Sequence, residues 1–166
     1  MALAPTDAQS FSRTAAPTPA TWLDQQVETW RDVILLVARL ALAYIFIESA
    51  LNHATDLPKF AATFKNFQLP AALGVPVAGL AVLVELVGGI ALVVGYRLRE
   101  TAILMIAFLM VTIFIGHRYW EFEDAARRLH IIQIKKNVAI TGGFLLLLVV
   151  GGGRYAVSAW RERRGS

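Results

Sequence analysis

Val33-Ile-Leu-Leu-Val-Ala-Arg39-Leu-Ala-Leu-Ala-Tyr-Ile-Phe-Ile-Glu48-Ser-Ala-Leu-Asn-His53 decides the fold of this chain. About 20 residues at 1.5 Å each cross the roughly 30 Å hydrocarbon layer of a bilayer. This run has that length, and its apolar residues continue around the helix instead of forming one stripe, which suits lipid as the solvent. Three further runs read the same way, at about 72–95, 99–118 and 132–153. The expected architecture is therefore all-α: a four-transmembrane-helix bundle with short interfacial helices and a disordered N-terminal tail. Composition agrees, since the chain is 57% hydrophobic and only 17% charged, against about 25% charged in ordinary globular proteins.

The connections differ in length. The second and third runs are joined by Gly95 to Arg99, a tight hairpin with Arg97 and Arg99. The first connection holds Pro58 and then Phe60, Phe64 and Phe67, the spacing of a small interfacial helix ending at Pro70. The third, His117 to His130, is mixed in charge and expected in water. Residues 1–20 contain Pro5, Pro17 and Pro19 and no apolar core of a signal peptide, so a disordered tail is expected there. Thr21 and Asp24 mark a helix start, and Trp22, Leu23, Val27 and Trp30 share a face, as in a short helix at about 21–30 lying in the interface. The membrane domain is then 31–160, followed by a basic tail at 161–166. Lys and Arg divide almost evenly between the two ends of the bundle, but the short Arg97/Arg99 hairpin carries most weight under the positive-inside rule, placing both termini in the cytoplasm.

Several chemistries are excluded early. The chain has no cysteine, which removes disulfides, thiolate catalysis and cysteine-held metal clusters. Three histidines, His53, His117 and His130, are too few for a metal centre unless carboxylates complete it, and no metal is expected. The net charge of +4 flanks apolar segments, which points to anionic lipid and not to nucleic acid.

Ionisable groups at membrane depth are expensive and therefore informative. Here they are Arg39, Glu48, Glu85 and Lys136. Counting from the ends of the apolar runs puts Arg39 and Glu85 at one depth, roughly 10 Å above the cytoplasmic edge, and Glu48 and Lys136 at another in the outer leaflet. Two opposite-sign pairs follow, Arg39 with Glu85 and Glu48 with Lys136. Ala78, Ala81, Glu85, Gly88 and Gly89 form a small-residue face that lets a neighbour approach. Gln133, Lys136, Asn137 and Thr141 make a polar stripe that must face inward. With Glu48, His53, His117 and Trp120 this stripe forms an outer-end cluster suited to holding a quinone or phenol headgroup, or to relaying protons. A haem held by His53 and His117 is the weaker reading.

Arg39, the Glu85-Leu-Val-Gly-Gly-Ile-Ala-Leu-Val-Val-Gly95 run, His117-Arg-Tyr-Trp120 and Lys136-Asn137-Val-Ala-Ile-Thr-Gly142-Gly143 together resemble the DoxX family of small bacterial four-helix membrane proteins, over about residues 31–153. The resemblance implies an inner-membrane protein classed as an oxidoreductase component, with relatives tied to quinone or catechol stress, thiosulfate:quinone oxidoreduction, and complexes linking oxidative-stress and sulfur-transfer enzymes. It carries family positions onto Arg39, Glu85, His117, Lys136 and Asn137. Where relatives often show His-Gly followed by Lys-Leu late in the first helix, this chain has Glu48-Ser-Ala-Leu-Asn-His53.

The reading that results is a membrane subunit of a redox or detoxification system. It binds a quinone-like or phenolic molecule at the outer end, has no electron carrier of its own, and works with a redox-enzyme partner or as a homo-oligomer. Gly142 and Gly143 join Gly88 and Gly89 as packing positions. Two rivals stand beside this reading: a scaffold recruiting soluble partners through Arg161–Arg164 and the Arg97/Arg99 hairpin, and an oligomeric proton or small-solute pathway.

Overall fold

The computed structural model describes residues 21–64 and 70–160. The expected tails at 1–20 and 161–166, and Phe67 in the first connection, lie outside the described residues. The chain divides into two compact units, Met1–Trp30 and Arg31–Ser166. In the first, the Asp24 carboxylate accepts hydrogen bonds from the Thr21 N–H and hydroxyl at 2.7 Å each, and the Asp24 N–H donates back to Thr21 Oγ1 at 3.2 Å. This is a reciprocal helix cap. Helix α1 is continuous over Trp22–Thr55, so no separate interfacial helix ends near residue 30. Arg31-Asp32 contains neither the Pro nor the Gly that would interrupt it.

The second unit is a bundle of long helices with short connections. After α1 come α2 (Leu57–Ala62), α3 (Ala71–Val94), α4 (Leu98–Gly116), a 3₁₀ turn at Tyr119–Glu121, and α5 (Asp124–Val150). α1, α3, α4 and α5 are each long and apolar enough to cross a membrane, and no strand occurs among the described residues. The protein is thus an all-α four-helix membrane bundle. Helix α5 starts earlier than the apolar run, because Ala125, Ala126, Arg127, Arg128 and Leu129 all favour helix. The expected loop up to His130 is therefore mostly helical.

Phe46, Leu92, Leu98, Met105, Leu109, Phe144 and Leu147 form the common core. The outer surface is equally apolar: Leu80, Val87, Ile103, Val111, Leu146 and Val149 are all exposed, as lipid-facing positions should be. Close packing depends on particular glycines. A Cβ at Gly88 would sit 2.2 Å from Met105 Sδ, one at Gly89 2.7 Å from Ile47 Cγ1, and one at Gly143 3.3 Å from Leu42 Cδ2. Gly142, the fourth expected packing glycine, has no atom within 4 Å of that point. It lies one residue, about 100°, round the helix from the face Gly143 uses.

One antiparallel register relates α1 and α3. Arg39 lies beside Gly95, Ala43 and Ile47 beside Gly89, and Ser49 and His53 beside Glu85. At the Arg39 end, Gly151 and Gly153, both with positive φ, turn the chain back after α5. The Arg154 N–H donates to Asp32 Oδ1 at 2.8 Å, Arg39 Nη2 donates to the Tyr155 carbonyl at 3.2 Å, and the Ser158 N–H donates to the Gly95 carbonyl at 3.2 Å.

Candidate functional site

The polar side chains gather at the opposite end of the bundle from Arg39. Ser49 and His53, four residues apart, share one face of α1 and both reach Glu85 of α3. The Ser49 hydroxyl donates to Glu85 Oε1 at 3.0 Å, and His53 Nδ1 lies 3.1 Å from Glu85 Oε2. Glu85 is buried while His53 is about a third exposed. With Glu85 ionised, His53 donates through Nδ1–H and its Nε2 is left as an acceptor. Its ring stacks flat on Phe60, with centroids 3.6 Å apart and planes 4° from parallel. Phe60 in turn meets Phe64 edge-on. Helix α2 delivers these rings because Asp56 caps it, accepting the Lys59 N–H at 3.0 Å, with Pro58 in its first turn.

α4 and α5 supply the facing wall. Asn137, 4% exposed, donates through Nδ2 to Thr112 Oγ1 at 3.2 Å. His117 and His130 approach with ring centroids 5.8 Å apart, and the Nδ1 atoms of both are buried with no hydrogen-bond partner. Phe122 stacks on His130 at 4.1 Å.

Between the walls lies a cavity of about 750 Å³, within the range typical of small-molecule sites. Of the residues expected at the outer-end site, His53, His117, Gln133, Lys136 and Asn137 line it, joined by Glu85. Glu48 and Trp120 are not among its lining residues. Glu48 is exposed on another face of α1 and accepts a hydrogen bond from Asn52, and Trp120 sits exposed in the 3₁₀ turn. Ser49, Phe60, Phe64, Thr112, Phe122 and His130 also line it, although the sequence reading did not place them there. The signal available for Ser49 was its four-residue spacing from His53.

Neither expected ion pair forms. Glu85 is taken by His53 and Ser49, while Arg39 lies at the level of Gly95, ten residues or about 15 Å away along α3. Arg39 is wholly buried, and its Nε and Nη1 have no hydrogen-bond partner. Glu48 and Lys136 fail to meet because Glu48 is turned about 100° from Ser49, which faces the cavity. Among the described residues no group of three His, Asp or Glu is placed to hold a metal ion.

This arrangement offers a hydrogen-bond acceptor wall, Glu85 with His53, opposite a donor wall, Asn137 and Lys136, with aromatic faces between them. It can hold a flat molecule bearing polar groups at both ends and accept a proton from it.

Comparison with known proteins bears on the family of the chain. The DoxX family model matches residues 34–118. The inner membrane protein YphA of Escherichia coli (strain K12) is 37% identical over 127 residues, 74% of this chain and 86% of the relative. The inner membrane protein YqjF of the same organism is 33% identical over 128 residues, 76% of this chain and 90% of the relative. No solved structure matches. On the family match and on these two relatives, the chain belongs to the DoxX family.

Proposed function

We propose that this DoxX protein serves in the inner membrane, with both termini cytoplasmic, as the membrane subunit of a redox or detoxification system. It binds a quinone-like or phenolic molecule in the cavity. The observation that carries this reading is the cavity lined by the Glu85–His53 pair together with Asn137 and Lys136 and by Phe60, Phe64 and Phe122. A hydroxyl of the ligand donates to the free nitrogen of His53. The proton passes to Nε2, and Glu85, accepting from Nδ1–H, stabilises the imidazolium as it forms. A carbonyl or phenolate oxygen at the far end accepts from Lys136 or Asn137. The aromatic faces sandwich the ring. Glu85 and His53 take the proton-handling role that the sequence suggested for Glu48, and electron transfer belongs to a partner enzyme.

The test is photolabelling of the purified protein in nanodiscs with an azidoquinone, followed by peptide mapping. Label is expected in the segments around Phe60, Thr112 and Gln133–Asn137, and to be competed away by an unmodified short-chain quinone. Label spread over the lipid-facing positions and insensitive to competitor would refute the reading.

A further inference from the structure

On the side of helix α1 that faces away from the bundle, an apolar stripe is interrupted by a carboxylate. Ile34, Val37, Ala41, Tyr44, Glu48, Leu51 and Thr55 recur at alternating three- and four-residue steps, and every one is exposed. Tyr44 reaches 71%, Val37 59% and Leu51 58%. On a helical wheel they occupy an arc of about 100°, opposite the buried face of Arg39, Ala43, Phe46 and Ala50. Three heptads of such spacing are the pattern of a helix–helix seam. Its stretch from Glu48 to Asn52 is not suited to lipid. Glu48 lies about 10 Å before the end of α1 with no ion-pair partner among the described residues, and it shares a hydrogen bond with Asn52 on the adjoining turn. A carboxyl and an amide facing hydrocarbon are costly, and the cost falls when another helix supplies hydrogen bonds.

We infer that this seam binds the same seam of a second copy, giving a parallel two-fold α1–α1 contact through Ala41, Tyr44, Glu48 and Leu51. The patch is complementary to itself. Under a two-fold axis each Asn52 amide can donate to the other copy's Glu48. Small Ala41 lets the backbones approach, and a polar side chain at one seam position fixes register and pair number. The inference does not depend on the ligand proposed for the cavity, whose walls lie on the other face of α1.

The chain has no cysteine, so single cysteines report contact without background. Ala41→Cys, Tyr44→Cys and Leu51→Cys, oxidised in native membranes, are expected to give a disulfide-linked product of twice the chain mass. Leu83→Cys and Leu146→Cys, equally exposed on α3 and α5, are expected to give about tenfold less, as positions outside a specific seam should. Adding Glu48→Leu to Tyr44→Cys should lower the yield several-fold, whereas Glu48→Gln should retain it. Equal yields at seam and control positions would overturn the inference, as would a product of any other mass.

Discussion

The register between α1 and α3 makes a quantitative prediction about which charges are coupled. In His53→Phe the stack on Phe60 is preserved, but buried Glu85 loses the donor 3.1 Å away and keeps only Ser49 among its hydrogen-bond partners. A hydrogen bond involving a charged group contributes about 1.5–3 kcal/mol. A destabilisation of about 2 kcal/mol is expected. Glu85→Leu should cost about 1–2 kcal/mol, because the abandoned partner, His53, is partly exposed and can be rehydrated. The double variant removes both groups together, so its loss should fall short of the sum by about 1–2 kcal/mol. Arg39→Met combined with Glu85→Leu should instead add within about 0.5 kcal/mol, since the two sites share no partner and lie about 15 Å apart along the bundle. The assay is reversible SDS-induced unfolding in mixed micelles followed by circular dichroism. Coupling above about 1 kcal/mol between Arg39 and Glu85, together with additivity between His53 and Glu85, would refute the register.

The glycines give two further tests by the same unfolding assay. Gly88→Leu drives a side chain into Met105 and should lose about 1–3 kcal/mol, whereas Gly142→Ala, with open space at its Cβ, should be neutral or gain up to about 1 kcal/mol from helix propensity. Gly95→Ala should be the more damaging alanine substitution, by more than about 1 kcal/mol, because its φ is +76° and the new Cβ would lie 2.1 Å from Arg39 Nη1 and 2.6 Å from Ala156 Cα.

The four spans were legible because length and all-round apolarity are sufficient to mark a crossing helix, and the Gly95–Arg99 joint was legible as a hairpin. Lateral and vertical alignment was not. Depth counted from Val33 and Ala72 assumes that each apolar run starts at a bilayer edge, yet the relative height of α1 and α3 is set by where Gly89 and Gly95 admit Ile47 and Arg39. That contact information is pairwise and invisible in either run alone. Facing was ambiguous for a related reason: Glu48, Ser49, Asn52 and His53 are all polar, and hydropathy cannot say which two turn inward. The polar stripe of α5 was readable because Gln133, Lys136, Asn137 and Thr141 recur at helical spacing within the apolar run at 132–153. His130 and Phe122 were hidden by the mixed charge of the segment around them.

The hairpin of residues 151–158 bears on how the protein is made. Arg39 lies on α1, and the carbonyl it donates to, that of Tyr155, is 116 residues later, beyond α5. α1 must therefore enter the membrane with its guanidinium uncompensated by that partner, and it acquires it only once Tyr155 has been made. The turn after α5 works as a clasp that is fastened after α1, α3, α4 and α5 are made, so the step that completes the Arg39 end follows their threading and cannot be hurried by faster threading of the earlier helices.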